Sequence, residues 1–288
     1  MTDPFVTHRN LLFTVAYEML GSAVDAEDVV QETWLRWAAV DQQDVHDPRA
    51  YLVRIVARQS LNRLRTLARR REDYVGQWLP EPLLTARDVA EDFELAESVS
   101  MGMLTVLETL TPTERAVFVL REVFELPYDD IAAAVGKTAV TVRQVARRAR
   151  GHVVARRPRM TVDRAEQQRV VERFVMTLAS GDVQGLMDVL APDVVVVADG
   201  GGFAPAAVHP IVGADKVVAF LSRFATFAPD AVVDTIQLNG ALGGRILLEG
   251  ELNTVIAFVV DDGRISRLFA VRNPHKLHRL QEEAVLTR

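Results

Sequence analysis

The chain has 288 residues, 49% of them hydrophobic, no cysteine and a formal net charge of −6. That length and apolar content suffice for about two domains with their own cores and exclude a disordered or collagen-like chain. Without cysteine there are no disulfides, thiolate metal sites or cysteine nucleophiles. The absence of a signal-peptide pattern in MTDPFVTHRN and of any apolar run of spanning length leads to the expectation of a soluble cytoplasmic protein without membrane contact.

The charge is segregated. Residues 49–71 hold eight Arg and no acid, and residues 137–159 hold seven Arg, one Lys and no acid. These two stretches carry +16, which leaves −22 for the rest of the chain, and residues 72–100 set eight acids against Arg87. Such segregation predicts two anion-binding faces on an otherwise acidic protein, and arginine suits bidentate phosphate and base-edge contacts.

In chain order, residues 5–71 read as successive helices. Ser22 or Asp25 starts one through DAEDVVQETWLRWAAV, with Val30, Trp34 and Trp37 on one face and Glu27, Asp28, Gln31 and Glu32 on another. Asp44–Pro48 is a turn, with Pro48 suited to open the next helix. There Val53, Val56, Leu61, Leu64 and Leu67 form a packing stripe, and Arg54, Arg58, Asn62, Arg65 and Arg69 a polar one. Residues 72–100 read as a linker: GQWLPEPLL, then acidic DVAEDFELAE ending in a short acidic helix. Trp78 and Leu79 within it imply docking on another surface. Thr111, Pro112 and Glu114 form a capping box with proline at the first helical position. After RRPRM, an amphipathic helix over 163–181 closes at Gly181. Strands follow at DVVVVAD, 231–239, RILLEG, NTVIAFVV and RISRLFAV, the last two joined by Asp261-Asp262-Gly263. Helix first and antiparallel strands later predicts an α+β domain.

The most specific local pattern is residues 128–150. Ile131, Ala132, Val135, Gly136, Val142 and Val145 have helix-turn-helix spacing, with Gly136 at the turn and Thr138 capping the second helix. Lys137 departs from the pattern, where an apolar residue is usual. With Val142, Val145 and Ala149 inward, Arg143, Gln144, Arg147, Arg148 and Arg150 remain outside, residue types that read base edges and phosphates in a major groove. The stripe on 49–71, with Tyr51, suits single-stranded DNA through stacking and backbone contacts.

Residues 5–155 resemble bacterial RNA polymerase sigma factors of the extracytoplasmic-function group, through DAEDVVQETWLRW, PRAYLVRIVARQSLNRLR, LTPTERAVFVLRE and YDDIAAAVGKTAVTVRQVARRAR. The resemblance implies core RNA polymerase and promoter DNA as partners. It assigns polymerase contact to Asp25, Asp28, Gln31, Glu32 and Trp34. Capture and melting of the downstream promoter element fall to Asp41–Asp47, Arg54, Arg58, Asn62 and Arg65. Upstream-element reading falls to Thr141, Arg143, Gln144, Arg147 and Arg148. In this group the connector threads polymerase channels, and the acids of the linker fit a positively charged path.

The remaining residues resemble a SnoaL-like domain of the nuclear-transport-factor type, a curved sheet with helices around a conical cavity. Three strings resemble those of the sigma subgroup that carries this extension: Trp78-Leu79-Pro80-Glu81-Pro82, Asp199-Gly200-Gly201-Gly202 and Asn273-Pro274-His275-Lys276-Leu277. The resemblance implies regulation from within the chain through Trp78, Leu79, Pro80, Asp199, Gly200, Gly201, Asn273, Pro274 and Lys276. The expected organisation is multidomain: a region-two helical domain (1–71), the linker (72–102), a region-four helix-turn-helix domain (103–157), a cone-shaped α+β domain (163–272) and a tail (273–288).

Catalysis in the extension would need an acid or base in the cavity. Asp193, Asp199, His209, Asp215, Glu249 and Glu251 qualify by type alone, and Asp199 reads better as the start of a glycine turn. The six histidines are scattered and no acid pairs with one at ligand spacing, so neither metal nor cofactor is expected. The primary expectation is a non-enzymatic promoter-specificity subunit whose extension has room for a small apolar ligand. Open alternatives are a DNA-binding regulator fused to an active SnoaL-like isomerase, cyclase or hydrolase, and a ligand-sensing helix-turn-helix regulator with no polymerase role.

Overall fold

In the computed structural model the described residues are 3–71, 73–86, 89, 92–156 and 164–288, with backbone alone for 68–71 and 224–226. The Arg69 side chain, the acids Asp88 and Glu91, and residues 157–160 of the string RRPRM therefore lie outside the description. Residues 4–71 form α1 (Pro4–Leu20), α2 (Ala23–Ala38) and α3 (Pro48–Arg71). Asp3 caps α1 by accepting from the Phe5 amide at 2.8 Å, and Ser22 caps α2 by accepting from Asp25 at 3.2 Å. The stripe expected on α3 is buried through Val53, Val56, Leu61 and Leu64, whereas Arg54, Arg58, Asn62 and Arg65 face solvent. On α2 the packing face is Val29, Val30, Thr33 and Trp37. Trp34 does not share it as the spacing suggested: it stands at the edge of that stripe, 46% exposed.

The linker leads through a two-residue strand, β1 (Leu84–Thr85), into α4 (Phe93–Ser98) and α5 (Met101–Leu107). Next come α6 (Pro112–Phe118), α7 (Tyr128–Val135) and α8 (Ala139–Arg156). The Thr111/Glu114 capping box is present in both directions with Pro112 in the first turn. Gly136 closes α7 in the left-handed region, and Thr138 accepts from the Thr141 amide at 3.2 Å to start α8. Val142, Val145 and Ala149 are buried as the spacing requires. The helices of 4–71 and of 101–156 share one continuous apolar core, which also takes in Leu83 and Leu286.

The extension contains α9 (Arg164–Ser180), α10 (Val183–Val189), β2 (Leu190–Asp199), β3 (Ile211–Val212), α11 (Ala214–Phe227), β4 (Val232–Leu238), β5 (Ala241–Leu248), β6 (Glu251–Asp261) and β7 (Arg264–Val271). The helices α10, before the first expected strand, and α11, between DVVVVAD and 231–239, fall in stretches to which the spacing assigns no element. Residues 273–288 add α12 (Pro274–Leu277) and β8 (Glu283–Ala284). The sheet order is β3-β2-β7-β6-β5-β4-β1-β8, so the linker supplies the next-to-last strand and the segment after α12 the edge strand beside it. One sheet face packs on α9, α10 and α11. The other, through Leu238, Val255, Val259, Phe269 and Val271, is covered by Leu79 and Met101 and by Leu277 and Leu280. The linker is thus a layer of the fold, and the tail is not free.

Every residue from Leu11 to Leu20 is buried, including Tyr17 and Glu18. A helix buried on all sides lies inside the molecule. The α1 end is enclosed by α2 and α3, by the region-four helices, by the linker and by the β4–β5 turn. Glu18 accepts from Ser98 Oγ at 2.8 Å, and burial pushes its carboxyl up to about 8 from the usual 4.5. A carboxyl raised by folding contributes most below the unfolded value and loses stability as pH rises through the folded one. Glu18→Gln, which keeps an acceptor for Ser98, is expected to match the wild type near pH 4.5 and exceed it by roughly 2–4 kcal/mol near pH 8. Urea unfolding at both pH values measures this, and a pH-independent difference would contradict it.

Candidate functional site

Two basic faces lie on the helical half. On α8, Arg143, Gln144, Arg147 and Arg148 are exposed and Thr141 is half-buried at the first turn. Arg148 donates to Glu114 at 2.6 Å and Arg150 to Glu122 at 2.7 Å, which fixes one side of α8 to α6 and the turn after it. Arg143 and Arg121 both lie over the Tyr128 ring, at 5.4 and 4.6 Å. On α3, Arg54 lies over Tyr51 at 5.4 Å, and Tyr51 meets Trp37 at 6.0 Å. The stripe Arg54, Arg58, Asn62 and Arg65 therefore starts beside an aromatic platform.

The residues expected to meet polymerase are partly engaged within the chain. Arg63, which the sequence reading did not single out, donates to Asp25 at 2.8 Å and to Asp28 at 2.5 Å. Glu32 accepts from Gln59 at 3.0 Å, and Gln31 and Trp34 face solvent. Ala133 of α7 closes a groove whose other walls include Arg36, Tyr51, Arg54 and Arg58, so the first helix of the helix-turn-helix sits against the basic helix α3.

The three short strings singled out in the linker, the extension and the tail converge on one fully buried carboxylate. Asp199 accepts from Tyr74 Oη at 2.6 Å, from the Leu79 amide at 2.9 Å and from Lys276 Nζ at 2.7 Å. Its carbonyl accepts from the Arg272 and Asn273 amides. Lys276 also donates to the Leu79 carbonyl and lies 4.1 Å from the Trp78 ring centre. The Trp78 indole in turn lies against Gly21 at the end of α1. Asn273 donates to Tyr74 Oη at 2.9 Å and, with Pro274 in the first turn, caps α12. Gly201 has φ 59°, and a Cβ there would fall 2.2 Å from Asn273 Nδ2, so both conformation and space require glycine. Gly200 and Pro80 are buried beside this network. Asp199 does start a glycine turn, and its carboxylate serves the linker as well.

A second junction escaped the sequence reading. Glu81 caps α2 from a distance: its carboxylate accepts from the Ala23 amide at 2.8 Å and from Ser22 Oγ at 3.2 Å, while burial pushes its pKa up. Asn239, in the β4–β5 turn, donates to Tyr17 Oη at 2.7 Å and to the Val99 carbonyl at 2.8 Å, and accepts from the Leu83 amide at 2.9 Å. The string Asn239-Gly240 between two apolar runs is a strong hairpin signal, but nothing in it specifies what the amide grips. The acids and histidine considered for catalysis (Asp193, His209, Asp215, Glu249 and Glu251) are all exposed. The helix-covered face of the sheet is apolar, with Phe174 and Phe258 edge to face at 5.1 Å.

Residues 5–70 match Sigma-70 region 2, residues 100–153 match Sigma-70, region 4, and residues 171–268 match the SnoaL-like domain. The chain is 36% identical over 286 residues to the ECF RNA polymerase sigma factor SigJ of Mycobacterium tuberculosis (strain ATCC 25618 / H37Rv), covering 94% of this chain and 91% of that protein. The chain belongs to the extracytoplasmic-function RNA polymerase sigma factors. It is also 31% identical to a probable member of the group from the same species, SigI, over 96% of this chain and 94% of that one. The crystal structure of SigJ superposes with a TM-score of 0.78 at 34% identity, covering 96% of this chain and 98% of the other. This sigma factor is thus a transcription-initiation protein that acts by binding, not an enzyme, and it is built of two helical sigma domains and an α+β SnoaL-like extension. No helix among the described residues is long and apolar enough to cross a membrane.

Asp199→Ala takes the carboxylate from the Lys276 ammonium and leaves the buried Leu79 amide without it. Breaking one side of such a buried pair costs about 3–5 kcal/mol. Denaturant unfolding should show a loss of that size, smaller for Asp199→Asn. An unchanged midpoint for Asp199→Ala would remove the network as a source of stability.

Proposed function

We propose that this sigma factor binds core RNA polymerase through α2 and promoter DNA through α3 and α8, and that its extension regulates it in cis by holding the two sigma domains closed. The observation that carries this reading is the Asp199 carboxylate, which ties the linker and α12 together while α7 rests on α3. Asp25, Asp28, Gln31, Glu32 and Trp34 supply the polymerase face. Arg54, Arg58, Asn62 and Arg65 follow the unpaired downstream strand, with Tyr51 as the neighbouring stacking platform. Thr141, Arg143, Gln144 and Arg147 read the upstream element in the major groove, while Arg148, paired with Glu114, holds α8 to α6. Elements separated along a duplex need their reading domains apart, so the contact of α7 with α3 belongs to an inactive form. Opening requires the linker to leave Asp199, and polymerase supplies binding energy for that step.

The work is done in the cytoplasm, where polymerase and promoters are. A small apolar ligand would enter the helix-covered face of the extension near Phe174 and Phe258 and act through the adjoining strands. Exposure of the candidate acids and of His209 disfavours an acid–base function there.

An arginine reading a base edge is worth about 1–3 kcal/mol of discrimination. Arg147→Ala is therefore expected to weaken promoter binding by the reconstituted holoenzyme about 5–150-fold and to relax preference at one upstream position. Arg58→Ala should leave upstream binding intact and slow duplex opening. Footprinting and an opening assay on one promoter test both. Unchanged promoter use by Arg147→Ala would overturn the recognition-helix assignment.

A further inference from the structure

The segment that follows α12 returns to the helical half and within six residues touches the linker strand β1, α1 and α4. Glu283 and Ala284 pair in parallel with Leu84 and Thr85, so β8 hangs on the linker strand and on nothing beyond it in the sheet. Leu286 is 5% exposed and belongs to the apolar core that α1, α3 and the region-four helices share, not to either core of the extension. The Thr287 amide donates to Thr14 Oγ1 of α1 at 3.1 Å. Arg288 donates to Glu94 at 2.6 Å and to Asp92, the cap of α4, at 3.2 Å. Its charge also acts on Glu18 of α1 and on Glu125, between α6 and α7.

We propose that residues 283–288 are a detachable strap: Leu286 plugs the seam between the two sigma domains and Arg288 clasps the acids of α4, so that release of these few residues alone loosens the closed form. The chemistry suits a device that can come away without unfolding the extension. A two-residue parallel edge strand has few ladder bonds to lose. The Arg288 pairs are partly exposed and screened by salt. A single leucine supplies most of the hold. The Asp199 network, by contrast, is buried and belongs to the body of the extension. This inference rests on the closed-form reading above, which makes the separation of the two domains the quantity to measure.

The chain has no cysteine, so Val6→Cys in α1 and Val140→Cys in α8, both exposed, take spin labels that report the distance between the sigma domains in the full-length protein. The strap predicts that Leu286→Asp raises the population of long distances, and capture of core polymerase with it, about tenfold. Leu286→Met is expected to stay at the wild-type distribution. Arg288→Glu should shift it in the same direction as Leu286→Asp by a smaller factor, and Arg288→Glu with Glu94→Arg should return it toward wild type. Asp199→Asn is the reference for the reading itself. If Asp199→Asn opens the pair while Leu286→Asp and Arg288→Glu do not, the strap is refuted and the closed-form reading stands. If none of the three moves the distance, both are refuted. Arg288→Glu lies at a partly exposed position, so its result does not depend on core integrity, and the circular dichroism of each variant identifies a loss of fold.

Discussion

The arrangement depends on the end of α1. Ten successive residues of that helix are buried, and the last turn carries a phenol, a carboxyl and carbonyls that have no partner within the helix. Buried polar groups are costly unless hydrogen-bonded, and here each partner comes from a different part of the chain. Tyr17 Oη donates to the Glu81 carbonyl of the linker and accepts from Asn239 of the extension. The Glu18 carbonyl accepts from Arg115 of α6 at 2.9 Å, a cation placed where the helix dipole favours one. The Glu18 carboxyl accepts from Ser98, and Gly21 accepts from the Glu81 amide. Moving any one of these parts away exposes α1 to water and leaves the others with donors to satisfy. A closed state held in this way is cooperative: its contacts are made or lost as a set.

Arg115 illustrates the cost of such a junction. Its guanidinium is buried, and burial lowers its pKa to about 9, against the pull of Glu18 and Tyr17. Glu108 pairs with it through Nη1, and Nε and Nη2 both donate to the Glu18 carbonyl. Apolar residues of similar volume would hold the two domains together as well or better, because buried ion pairs seldom add net stability. Polar groups do something apolar ones do not: they fix one relative orientation, and they can be re-solvated when the domains part. On the proposed reading, in which the junction opens, interactions that water can replace are an advantage.

Much of this was legible in the residues. The capping box at Thr111, the turn at Gly136, the inward set Val142, Val145 and Ala149 and the outward stripe on α3 follow from local geometry, which repeats with fixed period and leaves its mark in spacing. The candidate strings around Trp78, Asp199 and Lys276 were visible as strings, and what the structure adds is that they share one carboxylate. Trp34 was misplaced because helical spacing at the edge of a stripe cannot say which side of the edge is covered. Asn239, Glu81 and Arg63 were missed for a different reason. Each acts on a residue far away in sequence, at separations of 222, 58 and 38 positions for Tyr17, Ala23 and Asp25, and no periodicity encodes a partner at that range. The spacing assigns no element to α11, which lies between the strands expected at 193–199 and 231–239.

The charge segregation takes its meaning from these contacts. An acidic chain with two arginine-rich helices would fold poorly if all the arginines were left to repel one another. Some of them are spent internally: Arg63 on Asp25 and Asp28, Arg148 on Glu114, and Arg150 on Glu122. Those pairs fix α3 to α2 and α8 to α6 while their neighbours Arg58, Arg65 and Arg147 remain exposed. The internal pairs set the angle at which each helix presents its outer face, and on the proposed reading the outer arginines are those offered to phosphate and base. The net acidity of the rest of the chain disfavours nucleic acid there, which suits the proposed confinement of binding to these two faces. On the proposed reading those faces lie together in one closed body, and the same arginines serve two separated DNA elements only once the junction around α1 opens.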